Sequence, residues 1–362
     1  MEKILTFFRG IMTTVTIVSL LVLILASFSD FISPVRLILS AYLGLFFPFI
    51  LAWNVALLLG WLFFQKWKQV GMILVSFLIC GGAIHTYFPL HSKTKDLPKD
   101  CIKVLTYNVM SFDWMEKPSR ILEYVVKQDP DIVCFQEFAL SQDDDHLTKK
   151  DVTKALKKLP YSYIEPDNHI AVFSKFPIKS TKKIPIKSEA GNGSFIAELD
   201  VHGKKVVLIN NHLESNKIAE DERAAFRDMT KEPDAHKLKR FFSQTLLNRL
   251  TPAFKWRAKQ ANDISEVIKH QVHDATTGKP YIIVCGDFND TPISYAHHKI
   301  KGDLVDSFVE SGSGMGITFN KYRFLFRIDY IFHSKNIKSY NTTVGQLRDS
   351  DHYPLTTYLQ LQ

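Results

Sequence analysis

The stretch Tyr281-Ile282-Ile283-Val284-Cys285-Gly286-Asp287-Phe288-Asn289 decides how this chain is read. Its apolar, β-branched run predicts a strand, and the strand ends in a glycine, an acid and an amide. A sheet holds polar side chains rigidly at its mouth, and the same arrangement recurs along the chain. Leu105-Thr106-Tyr107-Asn108 ends in an amide, and Asp131-Ile132-Val133-Cys134-Phe135-Gln136-Glu137 in a carboxylate. Asn210-Asn211-His212-Leu213 ends in a histidine. Arg327-Ile328-Asp329-Tyr330 places an acid inside a strand, and Ser350-Asp351-His352-Tyr353-Pro354 precedes the last strand. Any one of these has a plain explanation, because an acid at a strand end is usually a turn former or a helix cap. The set is harder to dismiss. Several carboxylates meeting without cations would repel one another and protonate. A hard divalent cation with oxygen ligands resolves that repulsion.

Working outward, the region from Ile102 alternates strand and helix patterns, as an α/β domain does. Further apolar runs fall at 169–173, 195–199 and 206–209. Ser119–Gln128 has Ile121, Leu122, Val125 and Val126 on one helical face, and Trp256–Val272 has Ala261, Ile264, Val267 and Ile268. Residues 215–255 differ, being highly charged with Phe241, Phe242, Leu246, Leu247 and Phe254 interspersed. They are expected to form a basic helical insertion, more simply a solvated excursion packed on the domain than a membrane-touching element. Residues 93–101, with Pro98, read as a short polar linker to a domain spanning 102–362.

Residues 1–92 have a different composition and are expected to be a transmembrane anchor of about three helices, at 11–29, 37–64 and 70–90. Each approaches or exceeds the ~20 apolar residues that cross about 30 Å of hydrocarbon. Lipid cannot satisfy exposed backbone groups, so helices are required. A cleaved signal peptide is the alternative for the first run. Two more apolar runs follow it, however, and no clear cleavage site is present. A two-span arrangement with a re-entrant or split middle segment competes with three spans. Lys3, Arg9, Lys66 and Lys68 flank the cytoplasmic ends of a three-span reading, which makes the chain a multi-pass integral membrane protein with its large domain outside. Lys93, Lys95 and Lys99 argue mildly the other way.

The chain has 362 residues and a formal net charge of +8. That balance suits nucleic acid, phospholipid headgroups or phosphorylated small molecules without choosing among them. Cys80, Cys101, Cys134 and Cys285 form no CxxC pair, so neither a thiolate metal site nor a disulfide framework is expected. Cys134 and Cys285 sit in strand patterns, where cysteine acts as a small buried hydrophobe.

The order Asn108, Gln136-Glu137, His212, Gly286-Asp287-Phe288-Asn289, Asp329 and Ser350-Asp351-His352 resembles the endonuclease/exonuclease/phosphatase superfamily, which includes DNase I-like nucleases, neutral sphingomyelinases and inositol-polyphosphate phosphatases. The likeness covers roughly residues 102–362, with echoes in Ser174-Lys175-Phe176-Pro177-Ile178 and in Arg257 with Gln260. It implies a four-layer α/β sandwich, two mixed sheets face to face with helices outside. It also implies Mg²⁺ or Mn²⁺ held by Glu137, with Asn108 nearby and Asp351 as a further ligand. Asp287 would orient or deprotonate the attacking water, and Asn289 would position it. His352, paired with Asp329, and His212 would meet the phosphate. One departure is Met110, where some members of the family carry an acid; Asp113 is nearby but out of register.

These readings imply a membrane-anchored, metal-dependent phosphodiesterase, nuclease-like by default. A phospholipid or sphingomyelin phosphodiesterase, or a small-molecule phosphatase, is the alternative. A catalytically dead binding protein fits poorly, because the acid, amide and histidine positions are all present.

Overall fold

The computed structural model describes residues 2–216, 248–273, 280–319 and 325–362. The N-terminal helices are α1 (Glu2–Ser27), α2 (Ile38–Phe63), α3 (Trp67–Ile79) and α4 (Gly81–Tyr87). Thr6–Ser27 and Ile38–Phe63, 22 and 26 residues long, are each long and apolar enough to cross a membrane. α2 carries Pro48 within it and continues past it. Phe7, Leu21, Leu25, Phe49, Leu59 and Leu78 are exposed on these helices, as lipid-facing side chains would be.

The expected third span at 70–90 is not one helix. α3 and α4 meet at a bend of 68°, at Cys80-Gly81-Gly82, where consecutive glycines weaken the helix. Thirteen residues of α3 reach only about 20 Å, so α3 needs its bent partner to complete a crossing.

The remaining elements are β1 (Ile102–Asn108), α5 (Met110–Met115), α6 (Arg120–Gln128), β2 (Ile132–Gln136), α7 (Lys149–Ala155), β3 (Tyr161–Glu165), β4 (Ile170–Ser174) and β5 (Ile178–Ile184). β6 (Ser194–Val201), β7 (Lys204–His212), α8 (Thr251–His273), β8 (Tyr281–Asp287), α9 (Tyr295–Lys301) and β9 (Val305–Asp306) follow. The chain closes with α10 (Ser307–Ser311), β10 (Asp329–His333), β11 (Ile337–Val344) and β12 (Leu355–Leu361). Residues 217–247, most of the expected charged insertion, lie outside the described residues. Its last residues belong to α8 instead, because Phe254 is buried against α2 and draws the helix start back to Thr251.

The strands form two six-stranded sheets, β11-β12-β1-β2-β4-β3 and β5-β6-β7-β8-β10-β9. Both are mixed: β1/β2 and β7/β8 are parallel, and their neighbours antiparallel. Alternate residues of the central strands explain why those strands are apolar throughout. Ile132, Cys134, Ile283 and Cys285 fill the core between the sheets. Val133 and Phe135 face outward into a cluster with Ile121, Leu122 and Val125 of α6. Ile282 and Val284 face outward against Ala261, Ile264 and Ile268 of α8. The result is a four-layer sandwich of helix, sheet, sheet and helix. All four cysteines are free.

A polar clasp crosses the sheets close to their C-terminal edge. Gln136 Nε2 donates to Asn210 Oδ1 at 2.7 Å, and Asn210 Nδ2 donates to the carbonyls of Phe135 and Ala171. Buried amides cost stability unless paired, and these pair with each other. Gln136 thus fixes the end of β2 so that the next residue, Glu137, turns outward.

Candidate active site

Register places the site. His212, Asp287 and Asp329 lie side by side on β7, β8 and β10, His212 opposite Asp287 and Asp287 opposite Asp329. Such a row needs the strands close together, and Gly286 provides this. A Cβ at Gly286, whose φ is 128°, would stand 1.9 Å from the Asn211 carbonyl oxygen, so only glycine fits.

The other sheet closes over the row. Asn108 ends β1 and donates through Nδ2 to Glu137 Oε1 (3.0 Å) and to Asp287 Oδ2 (3.1 Å). Its own Oδ1 accepts from the Met110 N–H at 3.1 Å. Asn108 therefore presents donors to the two carboxylates, and not the oxygen a cation ligand would offer. Glu137 and Asn289 both hold left-handed backbone, φ 50° and 52°, a strain of the kind that collects at functional sites. Asn289 donates from its backbone N–H to Asp287 Oδ1 (2.8 Å) and from Nδ2 to the Leu213 carbonyl (3.1 Å).

His352 enters on the loop before β12. Ser350 tethers that loop, donating to the Asn108 carbonyl at 2.8 Å and accepting from the His352 N–H. His352 Nδ1 lies 2.8 Å from Asp329 Oδ2, and its Nε2 lies 3.6 Å from Asp287 Oδ2. Asp329 is set by Thr318, whose Oγ1 accepts from the Ile328 and Asp329 N–H groups. Phe319 covers the His352 ring at 5.1 Å.

Burial would strip the proton from His352, but the charges of Asp329 and Asp287 outweigh it and hold the pKa well above the ordinary histidine value. Burial, aided by the Asp329 charge, pushes the Asp287 carboxyl up to about 6 against the opposing pull of His352. His212 is driven the other way, because burial lowers its pKa more than Asp287 raises it. The site thus pairs a cationic imidazole with a neutral one. His212 Nε2 stands 3.6 Å from Asp287 Oδ2 and 3.8 Å from Glu137 Oε1, too far for hydrogen bonds.

Among the described residues, two buried polar atoms of this site lack any hydrogen-bond partner: His212 Nε2 and Asp329 Oδ1. Buried polar atoms left open in a cleft are where a ligand or solvent must bond. Glu137 adds a further open group. Its side chain is 40% exposed, and its Oε2 has no hydrogen-bond partner among the described residues. An open carboxylate oxygen at a mouth with net negative charge fits a hard divalent cation. Ligand atoms of Asp287, Asp329 and His352 lie within 4.8 Å of one another, but His352 and Asp329 are committed to each other there. Glu137 and Asp351, the expected metal carboxylates, lie outside that trio, and Asp351 is half-buried beside His352.

Sequence reading missed Asp290, Thr318 and Arg327. Arg257, noted only as an echo, is fully buried. Its Nε pairs with Asp290 Oδ2 at 3.1 Å, and its Nη1 donates to the Glu214 carbonyl and to Asn216 Oδ1. It thereby locks the loops after β7 and β8 together. A cavity of about 500 Å³ opens beside the site, among Lys93, Phe308, Thr342, Arg348 and Tyr353, and not over the trio.

Two facing mixed sheets, with acids, amides and histidines gathered at one end, define the class of protein. The chain belongs to the endonuclease/exonuclease/phosphatase family, whose model matches residues 105–352. A second family model, a domain of unknown function (DUF8431), matches residues 9–87. No curated protein matches the chain. Among solved structures, truncated Caenorhabditis elegans TDP2 superposes with a TM-score of 0.50 at 18% identity, covering 73% of this chain and 99% of that one. The human Nocturnin catalytic domain with bound sulfate anion gives 0.50 at 17%, covering 73% and 96%. At these identities the likeness is one of fold.

Proposed function

We propose that this chain is a membrane-anchored hydrolase of phosphodiester bonds that works with Mg²⁺ or Mn²⁺. Membership of the family supports phosphoester hydrolysis. The observation that carries the finer reading is the hydrogen-bonded run Glu137–Asn108–Asp287, with the His352–Asp329 pair 3.6 Å from Asp287 and the unpartnered His212 Nε2 also 3.6 Å from it.

In this reading Glu137 holds the cation at the mouth. Bound there, the cation supplies positive charge to the phosphoryl oxygens. Asp287 takes the proton of the attacking water. Its pKa of about 6 leaves it ionised at neutral pH yet basic enough to accept a proton. Asn108 and Asn289 fix its two oxygens. His352, kept protonated and aimed by Asp329, donates to the phosphoryl oxygen as negative charge develops there. Asp351 contributes through charge, since it favours the protonated form of His352. Neutral His212 meets the phosphate or the leaving group from the opposite side.

The test is turnover of bis-p-nitrophenyl phosphate by the full chain in detergent. Activity should vanish with EDTA and return with Mg²⁺ or Mn²⁺. It should fall by about 10²–10⁴ in His352→Gln. EDTA-resistant turnover would rule the mechanism out.

A further inference from the structure

The rim of the site rests on the N-terminal helices through three separate contacts, all at one end of the helix bundle. The first is the loop after β8. Ile293, four residues past Asn289, accepts from Ser29 Oγ at 3.1 Å and is buried in a cluster with Leu23, Phe47 and Tyr87. Gly44 of α2 passes so near that a Cβ there would lie 3.0 Å from the Ile293 carbonyl oxygen. The second is the segment before β10. Arg327, two residues from Asp329 and buried, donates to the carbonyl of Thr86 near the end of α4 and to that of Met315. The third is the start of α8. Thr251 meets the Tyr42 hydroxyl at 2.7 Å, and Phe254 packs edge-on against Tyr42 at 5.5 Å. Arg257 lies over Phe254 at 4.8 Å and binds the loops after β7 and β8.

Ser29, Tyr42, Gly44 and Thr86 belong to the end of the bundle where α1 finishes, α2 begins and α4 finishes. The segments that carry Asn289 and Asp329 are therefore held directly where the helices leave the apolar layer, and the loop after His212 is held there through Arg257 of α8. Beyond α3, six large apolar side chains are exposed among the described residues. Two of them, Met315 and Leu325, flank this contact, and the carbonyl of Met315 shares the Arg327 guanidinium with Thr86.

We infer that the substrate is a phosphoester of a bilayer lipid, whose hydrocarbon stays in the membrane while its phosphate enters the site from the rim held against the helices. This rests on the phosphodiesterase reading above and adds the substrate class. A lipid phosphate already lies at the depth to which the rim is pinned, and sharing one layer raises its effective concentration toward the ~mM range without any new contact. A nucleic acid gains nothing from that geometry. It would have to bring a polyanion between the rim and the headgroups, against like charge on anionic lipids.

The experiment uses the full chain in phosphatidylcholine vesicles with Mg²⁺, doped separately with phosphatidylglycerol, phosphatidylethanolamine or sphingomyelin. Glycerophosphoglycerol, glycerophosphoethanolamine and glycerophosphocholine (soluble deacylated diesters with the same headgroups), plasmid DNA and bis-p-nitrophenyl phosphate are presented to the same vesicles. At least one lipid is expected to be cleaved about tenfold or more faster than its deacylated counterpart at equal bulk concentration. Its rate should follow its mole fraction in the bilayer and stay constant when the suspension is diluted. DNA or deacylated diesters cleaved as fast as every lipid would overturn the inference. So would turnover of bis-p-nitrophenyl phosphate with no lipid cleaved. Failure on bis-p-nitrophenyl phosphate as well would instead bring down the hydrolase reading and this inference with it.

Discussion

Replacing Asp287 with asparagine should abolish turnover and yet stabilise the cation-free protein. In the folded chain the carboxyl is 1% exposed, and burial, with the Asp329 charge, lifts it from its ordinary 3.8 to about 6. A carboxyl whose folded-state pKa exceeds its unfolded one favours folding fully only below the unfolded midpoint. That advantage is lost as pH rises through about 6. The two midpoints lie about two pH units apart, worth about 3 kcal/mol at ~1.4 kcal/mol per unit. Above pH 7 the wild type without cation carries that cost, and the amide does not. The amide keeps the acceptor for the Asn289 N–H, which bonds Asp287 Oδ1 at 2.8 Å, but loses the acceptor for Asn108 Nδ2 at 3.1 Å, a pH-independent cost of about 1–2 kcal/mol that offsets part of the gain. Thermal unfolding in EDTA across pH 4.5–8 reads the difference. Asp287→Asn should unfold a few degrees higher at pH 8, at roughly 2–4 °C per kcal/mol for a domain of this size. The amide's advantage should fall by about 2 kcal/mol between pH 8 and pH 4.5. A gain of equal size at every pH, or a loss at pH 8, would refute the electrostatic reasoning.

Other outcomes follow from the same contacts. Gly286→Ala should cost enough stability to prevent accumulation of folded protein, because its Cβ has no room beside Asn211 O; soluble yield and unfolding temperature check this. Arg257→Ala leaves Asp290 buried and unpaired and should destabilise by about 3–5 kcal/mol, measured by denaturant unfolding. The acid limb of kcat/KM should fall at or below about pH 6, where Asp287 gains its proton, and should move lower as bound cation adds positive charge. Asp329→Asn should lower the pKa of His352, since Asp329 is the leading charge that raises it. Its titration, followed by NMR of the ring, should then move toward the ordinary value.

Much of the fold was legible because the central strands face a core on both sides. Val133 and Cys134, or Val284 and Cys285, point to opposite clusters and leave uninterrupted apolar runs. The polar residues closing those runs stand out for the same reason. β5 was hidden because it is a sheet edge. Its Lys179, Lys182 and Lys183 are charged or exposed, as edge protection requires. β11 breaks its pattern at an irregularity between Tyr340 and Thr343. Apolarity counted residues 70–90 as one span, but hydropathy carries no bend, and Gly81-Gly82 was the only local sign of one. At the site, Asn108 was recognised by position, while its role as donor to two carboxylates depends on Met110 occupying its oxygen. Thr318 and Arg327 act through partners distant in sequence, Arg327 through Thr86, and no local spacing announces such pairs.

The central claim is that the carboxylates gathered at the sheet ends hold a catalytic cation through Glu137. Mn²⁺ binding to the metal-stripped full chain, followed by electron paramagnetic resonance beside turnover in the same samples, addresses it most directly. Half-saturation of binding and half-maximal turnover should fall at one Mn²⁺ concentration, and Glu137→Gln should weaken both together by tenfold or more, as loss of a direct ligand does. Unchanged Mn²⁺ affinity in Glu137→Gln, or full turnover before Mn²⁺ is bound, would contradict the account.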